Sequence, residues 1–125
     1  MTLGEFLKGA AQDRGPWNCS TLPADWCVAL GYPDFAAKWR NIVGDAEAEE
    51  AGADGLLPLW DEGIGGAVPR APSDALQAGD IAVLALGPLE TGAIWTGERW
   101  AIRRVKGLHF AAAGQLATVA AWRPI

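Results

Sequence analysis

The chain has 125 residues, half of them apolar, and a formal net charge of −5. This length is enough for one compact domain with a single core and too short for two. The acidic balance argues against nucleic-acid binding, which needs a basic face. The one dense basic group is more typical of a solvated strand face or a local protein contact; it comprises Arg99, Arg103, Arg104 and Lys106.

The sequence predicts neither a signal peptide nor a membrane helix. Met1 to Ala11 carries charges inside its apolar pattern and lacks the basic start and long apolar run of a signal peptide. The most apolar stretch, Ile81 to Ile94, falls short of the roughly 18 residues that a membrane helix needs. We therefore expect a soluble protein, made in the cytoplasm without a signal peptide.

The first half of the chain predicts helices. Thr2 to Glu5 has the spacing of a capping box, and apolar residues follow with helical periodicity. A second helix starts within Cys19–Leu22 and runs to about Leu30, where Gly31 and Pro33 end it. Further short helices are predicted over residues 34–40, 45–53 and 55–65.

The second half predicts an antiparallel sheet, after an extended connector over residues 67–78. The apolar run Ile81–Leu86 is typical of a central strand. Three residues separate the segments 91–95 and 99–105, which suits a hairpin with Trp95 and Trp100 on neighbouring strands. A last strand or short helix is expected over 108–122, with a break at Gly114.

Seven tryptophans are spread along the chain, and most should lie in the core or at a subunit interface. Trp26 and Trp39 fall within helical apolar patterns. Trp17 and Trp100 lie near predicted loops or edges, where they could face a ligand. An exposed apolar patch for a partner could include Trp100 or Trp122.

Cys19 lies where a loop becomes a helix. The unpaired N–H groups and the dipole at a helix start lower a cysteine pKa and favour the thiolate, so Cys19 is a candidate nucleophile. An inert core thiol is the alternative. Asp25 is six residues further on and not on the same helical face, so we expect it to hydrogen-bond the backbone or a tryptophan N–H.

The cysteine and histidine content predicts no metal site and no cofactor. Cys19 and Cys27 are eight residues apart, and on one helix that spacing is a rise of about 12 Å, too far for a disulfide. Free thiols indicate a reducing compartment. His109 is the single histidine, so no zinc-binding cluster is expected.

The order of these elements resembles a papain-like domain of the NlpC type, the fold of bacterial and phage cell-wall peptidases. Asn18-Cys19-Ser20-Thr21 is similar to that family's Asp-Cys-Ser-Gly nucleophile motif, and Gly79 to Val83 resembles its Gly-Asp-Leu strand start. Thr91 to Gly97 resembles the strand that begins with the catalytic histidine in active members. The resemblance implies one α+β domain over residues 1–125, with amino-terminal helices packed on a carboxy-terminal antiparallel sheet. In this division residues 1–66 are mainly helical, 67–78 form the connector and 79–125 are mainly strands.

A closer resemblance, over nearly the full length, is to small proteins encoded among the tail genes of phages and prophages of high-GC bacteria. Its motifs here are Trp17, Cys19 to Thr21, Ala24-Asp25-Trp26, Gly79-Asp80 and Ala121-Trp122-Arg123. This resemblance implies a place in the virion tail, with other tail proteins of the tip, hub or baseplate type as partners.

Departures from the peptidase pattern bear on catalysis. Thr91 stands where the histidine would be, and the next strand offers Ile102 or Arg103 where the orienting residue would be. Threonine cannot shuttle a proton near neutral pH. His109 could supply the base only if its strand folds back over the start of the Cys19 helix. We therefore expect that catalysis has been lost.

These observations predict a structural component of a phage-type tail, near its tip or hub, on a catalytically degenerate cysteine-peptidase fold. One alternative is an active cysteine peptidase or amidase that cleaves peptidoglycan as the phage enters its host, with Cys19 as nucleophile and with His109 or a neighbouring chain as the source of the base. Peptidoglycan is then a further partner. A second alternative is a soluble inhibitor or protein-binding module.

Overall fold

The computed structural model describes residues 1–12, 19–40, 55–104 and 107–124. The described residues form an α+β domain whose helices precede a five-stranded antiparallel sheet. The helices are α1 (Leu3–Gln12), α2 (Thr21–Ala29) and α3 (Leu57–Ile64), with a 3-10 turn over Ala37–Trp39. The strands are β1 (Ile81–Leu86), β2 (Leu89–Trp95), β3 (Arg99–Arg104), β4 (Gly107–Ala112) and β5 (Ala117–Trp122).

The local signals of the first half place the helices correctly. The hydroxyl Oγ1 of Thr2 accepts the Glu5 N–H at 3.2 Å, as a capping residue does at the start of α1. α2 begins at Thr21, and the chain turns through Gly31 at a φ of 96° after it ends. α3 is followed by its C-cap residue Gly65, whose backbone adopts the left-handed conformation. The predicted helix over 45–53 lies outside the described residues. None of the described helices is long and apolar enough to cross a membrane.

The strands lie in the order β4-β3-β2-β1-β5, and each pair is antiparallel. β1 has a neighbour on both sides, as predicted for a central strand. Trp95 pairs with Trp100 across the predicted hairpin, with ring centroids 5.1 Å apart. The region 108–122 forms two strands joined by a turn that contains Gly114, because the chain must reverse to reach the other edge of the sheet.

Alternation along the strands gives the sheet two faces, which we call the helix-side face and the far face. The helix-side face packs against α2 and α3, and its buried residues include Ile81, Val83, Ile94 and Ala101. The far face has a separate apolar cluster of Ala82, Leu84, Ala93, Trp100, Ile102 and Ala121. Every residue of β2 or β3 can therefore be assigned to one side of the sheet or the other.

The sheet is strongly curled. β4 and β5 lie at opposite edges, yet only residues 113–116 connect them. In a flat sheet the two strands would be about 19 Å apart, given strand spacings of about 4.8 Å. The connection is a compact turn, since the Gln115 N–H donates to the Ala112 carbonyl at 3.1 Å. The edges therefore approach each other around the far face, where Leu116 packs against the apolar cluster.

Two of the tryptophans that were candidates for a ligand or partner surface, Trp100 and Trp122, are buried. Trp100 is 1% exposed and Trp122 is 2% exposed, so the expectation that either contributes to an exposed patch is wrong. The curled sheet encloses Trp100 on the far face, and Trp122 packs against Trp60 of α3 with centroids 5.4 Å apart. Trp17 lies outside the described residues.

Candidate functional site

Cys19 immediately precedes the N-cap of α2, Ser20, and is half-buried against the helix-side core. Its backbone lies directly on β2. A Cβ placed on Gly92 would be 2.6 Å from the Cys19 carbonyl oxygen and 3.3 Å from Cγ of Pro23. The start of α2 and the middle of β2 are therefore in contact at a position where only glycine fits.

Trp60 of α3 completes this contact. The same Cβ on Gly92 would lie 2.7 Å from Cζ2 of Trp60, and the indole N–H donates to Oγ of Ser20 at 3.0 Å. Trp60 is fully buried. We call Cys19, Ser20, Trp60 and Gly92 the cysteine seam. Sequence reasoning missed Trp60 and Gly92, although a glycine inside a strand is a signal of close backbone approach.

Thr91 does not face Cys19. It pairs with Leu84, which belongs to the far-face cluster, and paired residues lie on the same face of a sheet. Thr91 is buried, and its hydroxyl donates to the Gly92 carbonyl at 3.3 Å. The residue of β2 that lies against Cys19 is therefore Gly92, which has no side chain to offer.

Glu90 is the next residue of β2 on the helix-side face, two positions before Gly92. Its Oε1 accepts the backbone N–H of Leu56 at 2.6 Å, just before the start of α3. This carboxylate therefore satisfies an N–H at a helix terminus. It holds α3, and with it Trp60, against β2.

Arg103 lies on the helix-side face of β3, in the same alternation as Ala101, and is 2% exposed. Its Nη1 donates to the carbonyl oxygen of Ala10 in α1 at 2.9 Å. Arg103 therefore joins α1 to the sheet, and its burial rules out a solvated strand face for this member of the basic group. Arg99 is exposed, with its guanidinium 5.9 Å from the Phe110 ring centroid.

His109 lies on the far face, because it pairs with Ile102 on β3. It is exposed and lines an open groove of about 390 Å³, together with Leu86, Ile102, Ala111, Gln115 and Leu116. The sheet separates this groove from α2. The fold does not bring His109 to Cys19.

Among the described residues, this arrangement brings neither Thr91 nor His109 to Cys19 as a proton-transfer partner. A cysteine nucleophile needs a base within hydrogen-bond reach and a polar group to orient that base. The single histidine is on the opposite face, and the facing residue of β2 is glycine. Among the described residues, no group of three or more metal-ligating side chains is found.

Cys27 is buried within α2, where burial and the Asp34 carboxylate raise the pKa of its thiol to about 12. A thiol of this kind stays protonated and unreactive at neutral pH. Both cysteines are free.

Asp25 makes an ion pair instead of the expected hydrogen bond to the backbone or a tryptophan. Its Oδ1 is 2.6 Å from Nη2 of Arg40, whose Nε also donates to Oδ2 of Asp34 at 2.5 Å. Arg40 follows the 3-10 turn and lies between the two carboxylates. Its hydrogen bond with Asp34 raises the pKa of the Arg40 guanidinium above its usual value. Asp25 therefore ties this turn to α2 rather than acting on the thiol.

The other motif residues meet one another away from Cys19. The Trp26 indole N–H donates to the Gly79 carbonyl at 3.0 Å, in a buried contact. Asp80 is 1% exposed and accepts hydrogen bonds from Arg123. The Gly-Asp motif thus contacts both the Ala-Asp-Trp motif, through Trp26, and the Ala-Trp-Arg motif, through Arg123. These contacts connect parts of the fold and lie away from Cys19.

Comparisons of the chain with protein-family models, with curated proteins and with solved structures found no match. What the geometry supports is an α+β domain with a cysteine at a helix start, packed on the second strand of an antiparallel sheet.

Proposed function

We propose that this protein is a structural component of a phage or phage-like tail, near its tip or hub, built on a papain-like fold of the NlpC type that has lost catalysis. The observation that carries the proposal is the placement of Cys19 and His109 on opposite faces of the sheet. A cysteine peptidase needs both groups at one site.

The papain-like element of the proposal is supported by the position of Cys19. The thiol-bearing residue precedes a core helix, and that helix packs on β2, the strand in which the resemblance expects the histidine. Gly79-Asp80 stands directly before β1, as the resemblance implies. Gly92 and Arg103 are on the helix-side face of β2 and β3, next to the positions where the resemblance expects the histidine and its orienting residue, and neither of them supplies an imidazole.

The tail assignment is supported by the shared motifs and by what they do. These motifs connect three parts of the fold. Trp26 of α2 donates to Gly79 before β1, and Arg123 after β5 binds the neighbouring Asp80. These contacts hold the fold together, whereas the described residues bring no histidine to Cys19. This combination is expected of a protein that has kept the fold and lost the reaction. Such a protein suits a packing role among other tail proteins.

The test is to locate the protein in purified particles from the strain that encodes it. Gradient-purified particles are analysed by quantitative mass spectrometry and by immunogold electron microscopy. We expect a fixed copy number per particle and gold at one end of the tail. A matched control is a phage that carries Cys19→Ala, which should assemble and label equally well. Protein found in the lysate and not in the particles would overturn the tail assignment.

A further inference from the structure

The open groove of about 390 Å³ on the far face has the size of a small-molecule site, and such sites are common in the mouths of curled sheets. Its apolar part is aliphatic and consists of Leu86, Ile102, Ala111 and Leu116. Ile102 is a buried member of the far-face cluster, and Leu116 packs against that cluster. The apolar core of the far face therefore continues to the surface in this groove, which we call the far-face groove.

The polar part of the far-face groove consists of His109 and Gln115, and both residues are exposed. Oε1 of Gln115 accepts the backbone N–H of Ala112 at 2.8 Å. Within a side-chain amide only the carbonyl oxygen can accept that bond, so the amide nitrogen of Gln115 remains a donor. A protonated imidazole adds two N–H donors and a positive charge. The polar part of the groove is therefore suited to a ligand group that accepts hydrogen bonds.

The charge of the groove differs from the charge of the chain. The chain has 15 acidic residues against 10 lysines and arginines, yet no carboxylate lines the groove among the described residues. His109 is the only titratable residue of that described lining, so the charge it can carry is positive. A carboxylate is complementary to this charge, because it is an anion that only accepts hydrogen bonds. The aliphatic part favours a hydrocarbon chain on the same ligand.

We propose that the far-face groove binds a small aliphatic carboxylate. The hydrocarbon chain lies on Leu86, Ile102 and Leu116, and the carboxylate accepts hydrogen bonds from His109 and Gln115. The proposal is independent of the tail location and of the proposed loss of catalysis, because the sheet separates the groove from α2 and Cys19.

The experiment uses octanoate as the probe and octan-1-ol as its uncharged analogue. Each is titrated into the full chain at pH 6, where a typical histidine is largely protonated. His109 is the single histidine, so the imidazole C–H signals in a proton NMR spectrum belong to it. We expect octanoate to shift these signals in a saturable manner and to bind about fivefold more tightly than octan-1-ol, because it alone is charged.

Gln115→Glu tests the polar part of the groove without removing the turn contact, since a carboxylate oxygen can still accept the Ala112 N–H. The substitution exchanges the amide donor for a negatively charged acceptor, so octanoate should bind about fivefold more weakly and octan-1-ol about equally well. Gln12→Glu is the matched control. It makes the same change at an exposed residue of α1, a helix that packs on the helix-side core, and it should bind octanoate as wild type does.

Three results would overturn the proposal. One is the lack of a saturable shift of the His109 signals with octanoate. Another is equal affinity of the wild type for octanoate and octan-1-ol. The third is equal affinity of Gln115→Glu and Gln12→Glu for octanoate.

Discussion

Arg123 binds the carboxylate of Asp80 through two hydrogen bonds, from Nε to Oδ1 and from Nη2 to Oδ2, each 2.9 Å long. The Gln77 N–H donates to Oδ2 as well, at 2.8 Å. Nη2 of Arg123 also donates to the Ala75 carbonyl. A carboxylate that is 1% exposed is thereby fully paired, and it joins the end of β5 to the start of β1.

Arg123→Ala should lower the free energy of unfolding clearly more than a surface substitution does, because it leaves the buried Asp80 carboxylate without its cation. Urea denaturation measures the loss. The control is Lys38→Ala, which removes an exposed ion pair with Glu62 and should cost less than about 1 kcal/mol. Similar losses in the two variants would contradict the structural role of the motif.

Gly92→Ala should destabilise the protein by about 2 kcal/mol or more, because the added methyl would overlap the Cys19 carbonyl and the Trp60 ring. Thermal and urea unfolding measure the effect. Gly114→Ala is the control, since a Cβ there meets nothing within 4 Å and no positive φ is required. Equal stability of the two variants would show that α2 and α3 do not press on β2 as described.

Thr91→His should not create a peptidase, although it restores histidine at the position that the motif comparison indicated. The imidazole would enter the far face beside Leu84, with the sheet between it and Cys19. We expect a lower melting temperature, because a polar ring replaces a buried threonine. The alkylation rate of Cys19 and its pH dependence should match those of wild type. A histidine-dependent change in that pH profile would contradict the assigned face of Thr91.

The buried thiol of Cys27 makes the free energy of unfolding depend on pH in the alkaline range. Its pKa is about 12 in the folded protein, against 9.0 for an unperturbed thiol. Below pH 9 the Cys27 thiol is protonated in both the folded and the unfolded protein, and the stability that its burial allows is fully present. Between pH 9 and 12 the unfolded chain loses its proton first, so stability falls, by up to about 4 kcal/mol. Cys27→Ala should flatten this fall when urea midpoints are compared from pH 8 to 11. Parallel curves for the two proteins would contradict the burial of the thiol.

Local sequence signals predicted the elements because the physics behind them is local. The Thr2 capping box, the glycines after α2 and α3, and the apolar run of β1 each act within a few residues. The Trp95–Trp100 hairpin follows from a short connection between two strand patterns. None of these signals requires knowledge of the rest of the fold.

The site was harder to predict because it depends on which face of a strand a residue occupies. A shift of one position moves a side chain through the sheet, so Thr91 and Gly92 have opposite surroundings. The face of His109 depends on its pairing with Ile102, and the burial of Trp100 depends on the curl of the sheet. Strand pairing and sheet curl are properties of the tertiary structure, so a motif match within one strand does not predict them.

The most direct test of the proposed loss of catalysis is peptidoglycan turnover by purified protein, with wild type and Cys19→Ala assayed side by side. Release of soluble peptide or amine is followed at several pH values, together with the alkylation rate of Cys19. We predict no turnover that depends on Cys19, because the only histidine of the chain lies across the sheet from the thiol. Cleavage by the wild type that Cys19→Ala abolishes would contradict this account and establish the protein as an active cysteine hydrolase.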